Sequence, residues 1–153
     1  MSSKSTHSLA GLCVGAGICL ATHPDSIHGA VLVVGSLMGA SAPDWMEVPV
    51  WFNRTHWFRP SESHRYSLIP HRTITHTLAL WMLVFGYIAY RLSVAPHSPV
   101  NVFAFGFCAS VLTHLLLDIR TPMGIPVFPF GRRYRLQGLR LFPAHTIQHR
   151  SGW

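Results

Sequence analysis

Negative charge is the scarcest property of this chain. Five Asp and Glu stand against twelve Lys and Arg in 153 residues, and only 11% of the residues are charged while 49% are hydrophobic. A surface that must face water on all sides cannot be covered with so few charges, which excludes an ordinary soluble domain and points to a membrane. Cysteine is also sparse. Cys13, Cys19 and Cys108 lie inside apolar runs with no CxxC spacing, which excludes a disulfide scaffold or a zinc ribbon and leaves reduced packing residues. A cleavable leader is not indicated, because only Lys4 precedes the first apolar run and Thr22-His23-Pro24-Asp25 closes it without a small-residue cleavage pattern. Internal repeats and low-complexity linkers are lacking too.

What the chain does have is histidine, eleven of them, the side chain of metal ligation and proton transfer near neutral pH. The most informative stretch runs from His114 through three leucines to Asp118, with Pro122 and Gly124 beyond it. On a helix, residues four apart lie on one face a turn apart, so an imidazole and a carboxylate converge on one cation. A structural His–Asp hydrogen bond is the plain alternative.

Apolar runs predict helices over 8–22, 27–42, 76–92 and 100–117 of a single domain, residues 1–153. The first two are shorter than the roughly 20 residues of a full span. Each carries a GxxxG spacing, Gly11 with Gly15 and Gly35 with Gly39, which predicts close pairing of the two. The expected fold is all-α: a four-helix membrane bundle with an interfacial aromatic and basic loop and a basic C-terminal tail. The loop, residues 43–75, interleaves Trp45, Trp51, Phe52, Trp57 and Phe58 with Arg54 and Arg59, as in a belt at headgroup level. The tail carries Arg132, Arg133, Arg135 and Arg140 and is read as lying on the membrane surface against anionic headgroups. The adjoining spans make lipid the expected partner, and no nucleic acid is expected.

Antiparallel succession of four helices brings His7, Asp44, His76, His114 and Asp118 to one side of the bilayer. Of the twelve Lys and Arg, all but Arg91 fall on that side, so the site and both termini are expected in the cytoplasm. Asp44, His76, His114 and Asp118 form a mixed nitrogen and oxygen set suited to Zn²⁺ first and Mn²⁺ second. His7 and His71 extend it to six donors, enough for one or two ions. Arg72 is placed as an anion clamp, with headgroup contact alone as the plain alternative, and Glu47 as the proton acceptor for an attacking water or else a solvated loop residue, with Asp44 counted beside them as catalytic as well as ligating. Thr75 and Thr77 are read as helix caps. The pair His145 and His149 is read as solvated or headgroup-facing, with completion of the metal shell by a folded-back tail as the alternative, and the remaining histidines as surface or interface residues.

These residues carry a resemblance. His7 before a Gly-rich helix, Gly39-x-x-x-Pro43-Asp44, His71-Arg72-x-x-Thr75-His76 and His114-x-x-Leu117-Asp118-x-x-Thr121-Pro122-x-Gly124 resemble the LexA-regulated, membrane-bound metal-dependent hydrolase family of bacteria, over roughly residues 7–130. The family's Pro-Asp segment continues with a second Asp two positions on. Here Trp45-Met46-Glu47 follows, so either Glu47 takes that role or one ligand is missing. The HxxxD-to-Pro pattern is also similar to the zinc-dependent phospholipase C and P1-type nuclease group. These likenesses imply an inner-membrane hydrolase acting on a phosphoester, with a membrane lipid or a small phosphoester as substrate. Two other classes stay open, a metal-binding or transport protein and a non-catalytic membrane scaffold.

Overall fold

The computed structural model describes residues 4–46, 49–53, 63–67, 75–96, 98–121, 124–129, 132–137 and 140–143, with the strand segments 49–53, 63–67 and 140–143 described by backbone alone. Helices dominate. The long ones are α1 (Lys4–Thr22), α2 (Ser26–Gly39), α4 (Leu78–Val94) and α5 (Pro99–Asp118), and a single turn, α3 (Ala42–Trp45), follows α2. Two are long and apolar enough to cross a membrane, Ser5–Thr22 and Pro99–Asp118, while α2 and α4 are shorter apolar helices.

Local chemistry sets the ends. His23, in the left-handed region at φ 47°, turns the chain after α1. Asp25 then caps α2, its carboxylate accepting from the N–H groups of Ile27 and His28. The backbone N–H of His28 and its ring hold the Asp25 carboxyl below the ordinary range. Ser98 and Pro99 start α5. Asn101, buried near that start, donates from Nδ2 to the carbonyls of Arg91 and Ala95, which also accept the backbone N–H groups of Ala95 and Ser98, and so ties the end of α4 to the start of α5.

Helices α1, α2 and α5 pack against one another, and α4 packs on α5. The two GxxxG spacings do not meet each other as expected. Gly11 and Gly15 of α1 face Ser36, Ala40 and Val33 of α2, whereas Gly35 and Gly39 face the Phe103 and Phe107 carbonyls of α5. The reason is that α2 has two neighbours: its glycine stripe admits the α5 backbone and its Ser36–Ala40 stripe admits α1. Gly106 of α5 returns the contact against the Leu32 carbonyl and Ser36.

The all-α expectation is corrected in the connecting segments. Strands β1 (Pro49–Asn53) and β2 (Ser63–Ser67) form an antiparallel pair inside the segment read as a loop. Strands β3 (Ile125–Pro126), β4 (Arg133–Gln137) and β5 (Arg140–Pro143) form a three-stranded antiparallel sheet inside the segment read as a surface tail. The second sheet is tied to the helix ends. The Ala79 N–H donates to the Val127 carbonyl and the Leu136 N–H to the Ile119 carbonyl. Fully buried Ile125 joins Ala42, Trp81, Val111 and Leu115 in the core. That burial is why the segment after α5 closes one end of the helices rather than lying wholly on a surface.

Candidate metal centre

The site lies at the end of the helices where α1 begins and α5 ends. His7 stands in the first turn of α1, Asp44 in α3, His76 just ahead of α4, and His114 with Asp118 in the last turns of α5. Asp44 was expected at the end of a helix running to residue 42. Instead α2 stops at Gly39, and Pro43, which has no N–H to continue a ladder, opens the separate turn that carries Asp44.

These five side chains come together as expected. The His76 Nε2 lies 3.7 Å from Asp44 Oδ1 and 3.7 Å from Asp118 Oδ2. The His114 Nε2 lies 3.8 Å from Asp44 Oδ1 and 3.6 Å from Asp118 Oδ2. On the far side, His7 Nε2 is 4.0 Å from Asp118 Oδ1. Two triads bring one ligand atom from each residue within 4.8 Å of the others, His7 with His114 and Asp118, and Asp44 with His76 and His114. Donors about 2.1 Å from a tetrahedral Zn²⁺ stand about 3.4 Å apart, so the separations around Asp118 and Asp44 need close by only a few tenths of an ångström. All of these contacts exceed hydrogen-bond length.

Burial is the second feature. The side chains of His76, His114 and Asp118 are at most 2% exposed, whereas Asp44 is 47% exposed, so Asp44 marks the opening. The His76 imidazole beside Asp44 holds its carboxyl below the usual range; half-burial works against this, and His114 and His7 add to it.

The surroundings fix the imidazoles. The Ala40 carbonyl lies 2.7 Å from His114 Nδ1. A carbonyl only accepts, so that nitrogen carries the proton and the lone pair is on Nε2, the arrangement typical of a ligating histidine. The Nε2 is buried and has no hydrogen-bond partner among the described residues. Thr75 Oγ1 lies 3.1 Å from His76 Nδ1, and the buried Trp81 indole donates to the Thr75 carbonyl at 2.8 Å. Thr75 therefore touches a site histidine rather than capping α4, while Thr77 occupies the N-cap without a side-chain capping bond. Ala40 and Trp81 were not anticipated. A backbone carbonyl leaves no trace in composition, and Trp81 reads as one more apolar residue of its helix.

Glu47, His71, Arg72, His145 and His149 lie outside the described residues. Away from the site, His28 pairs with Asp25 at 2.8 Å.

The arrangement is a set of apolar helices, two of them long enough to cross a membrane, with a cluster of His and Asp at one end that could hold a metal ion. The family model described as YdjM inner membrane protein matches residues 1–151, and the chain belongs to that family. This agrees with the inner-membrane family that the motifs resemble; the family's name states a membrane location and no activity. No curated protein and no solved structure matches the chain.

Proposed function

We propose that this protein is a multi-pass inner-membrane hydrolase that uses a divalent ion, Zn²⁺ before Mn²⁺, to cleave a phosphoester at the cytoplasmic surface. The observation that carries the reading is the His114 Nε2. It is buried with no hydrogen-bond partner among the described residues, its tautomer is set by Ala40, and it faces two carboxylate oxygens within 3.8 Å. Burying such a nitrogen with nothing to bind costs about 1–3 kcal/mol, which a bound ion offsets.

A membrane orientation with the His and Asp cluster and both termini in the cytoplasm follows from the sequence expectation that all Lys and Arg but Arg91 fall on that side. An ion there supplies Lewis-acid polarisation of a phosphoryl oxygen and acidifies water. The chain's own residues do the rest. His76, His114 and Asp118 are buried donors. Asp44, the exposed donor, is the one that meets the incoming substrate and water. Arg72 is assigned to clamp the phosphate, and Glu47 to share the proton work, on sequence grounds. Trp45 and Met46, 56% and 37% exposed beside Asp44, offer an apolar rim that favours a lipid over a small polar ester, with anionic headgroups as neighbours.

A transport path calls for titratable groups through the span. Among the described residues, the buried polar side chains away from the cluster are Ser36, Asn101 and Ser110, none of which titrates, so the hydrolase reading is preferred. The test is turnover of a generic phosphodiester by detergent-purified protein. Asp118→Ala abolishes it while the protein still inserts; undiminished turnover in that variant discards the enzyme assignment.

A further inference from the structure

The ring planes of the three buried histidines sort the donors into two sets. An ion bound to an imidazole lies near the ring plane, about 2.0–2.1 Å from the nitrogen. The rings of His76 and His114 are inclined at 61° with centroids 5.6 Å apart. Their planes cross, and both Nε2 atoms face the same two oxygens, Asp44 Oδ1 and Asp118 Oδ2. One ion can satisfy both. His7 is disposed differently. It stacks on His114 with centroids 4.0 Å apart and planes only 25° from parallel. Planes so nearly parallel meet well beyond the reach of a metal–nitrogen bond, so His7 and His114 cannot share an ion in both planes. The oxygen that His7 faces is Oδ1 of Asp118, while Oδ2 faces the other two histidines.

Resting on the metal centre proposed above, we infer that it is dinuclear. The first ion is held by Asp44, His76, His114 and Asp118 Oδ2, the second by His7 and Asp118 Oδ1, and Asp118 bridges them. His114 belongs to the first ion alone, because its Nδ1 is committed to Ala40. Two divalent ions against two carboxylates leave a net positive centre, and the His7 ion has two protein donors among the described residues. Both features suit an anionic ligand of the phosphate class spanning the pair.

The test is Mn²⁺ binding to the metal-stripped full chain in detergent, read by stoichiometry and by electron paramagnetic resonance. The expected result is two ions per chain with the spectrum of a spin-coupled pair. His7→Gln holds one ion with the hyperfine pattern of an isolated Mn²⁺, and Leu9→Gln, on the exposed side of the same turn, keeps the coupled pair. A wild-type chain that binds a single isolated ion overturns the second ion and leaves the metal centre standing; one that binds none overturns both. A coupled pair persisting in His7→Gln overturns the assignment of His7.

Discussion

Replacing Gly39 with alanine tests how the helix packing builds the site. A Cβ there would run into the Phe107 carbonyl oxygen and the backbone behind it, so α2 and α5 must separate. Alanine is worth about 1 kcal/mol over glycine in a helix, while forcing a methyl into a packed contact costs about 1–3 kcal/mol. Against rigid backbone the upper end applies, which leaves a net destabilisation of about 2 kcal/mol. The separation also moves the neighbouring Ala40 carbonyl off His114 Nδ1, a 2.7 Å contact that sets the imidazole's tautomer. Losing such an outer contact weakens metal binding by about 10–100-fold. Gly86→Ala is the control, because nothing lies within 4 Å of a Cβ at that position. Denaturant titration in mixed micelles and competition with a zinc chelator read the two effects. If Gly39→Ala and Gly86→Ala match in stability and zinc affinity, the reasoning that joins the glycine contact to the ligand geometry is wrong.

Trp81→Phe keeps an aromatic ring in the core but leaves the Thr75 carbonyl without its indole donor; zinc affinity is expected to fall by about 10–100-fold in chelator competition, with the fold retained by circular dichroism. Asn101→Ala removes two amide bonds to the carbonyls of Arg91 and Ala95, each of which keeps a backbone N–H donor, so the expected cost in denaturant titration is about 0.5–1.5 kcal/mol, with zinc affinity unchanged because the residue lies at the other end of α5. The Asp25 carboxyl, lowered by the His28 N–H and ring, stabilises α2 above the ordinary carboxylate value of 3.8, and that contribution is lost as pH falls through the lower native value. Acid titration of helicity should show this loss in the wild type and not in Asp25→Asn, which keeps a capping oxygen that does not titrate.

Much of the site was legible because it rests on periodicity. His114 and Asp118 are a turn apart on one helix, and the polar residues at successive helix ends had to meet if neighbouring helices run in opposite directions. The four long helices were legible as apolar runs, with α1 starting a turn earlier than expected, so that His7 belongs to the helix rather than preceding it. What was not legible depends on contacts between distant segments. Gly35 and Gly39 looked suited to the adjacent α1, yet their partner is the backbone of α5, and nothing local to the stripe distinguishes the two. The strands after α5 are short and their pairing is non-local, so Ile125 read as tail although it is fully buried. The Ala40 carbonyl and the stacking of His7 on His114 are matters of three-dimensional placement that residue type does not encode.

The central claim, that imidazoles and carboxylates from separate helices close on a divalent ion, is tested most directly by elemental analysis of the detergent-purified protein beside His114→Ala. Zinc or manganese is expected bound stoichiometrically by the wild type, with the ion held by Asp44, His76 and Asp118 lost from the variant. Equal metal in the two samples, or none in either, would contradict it.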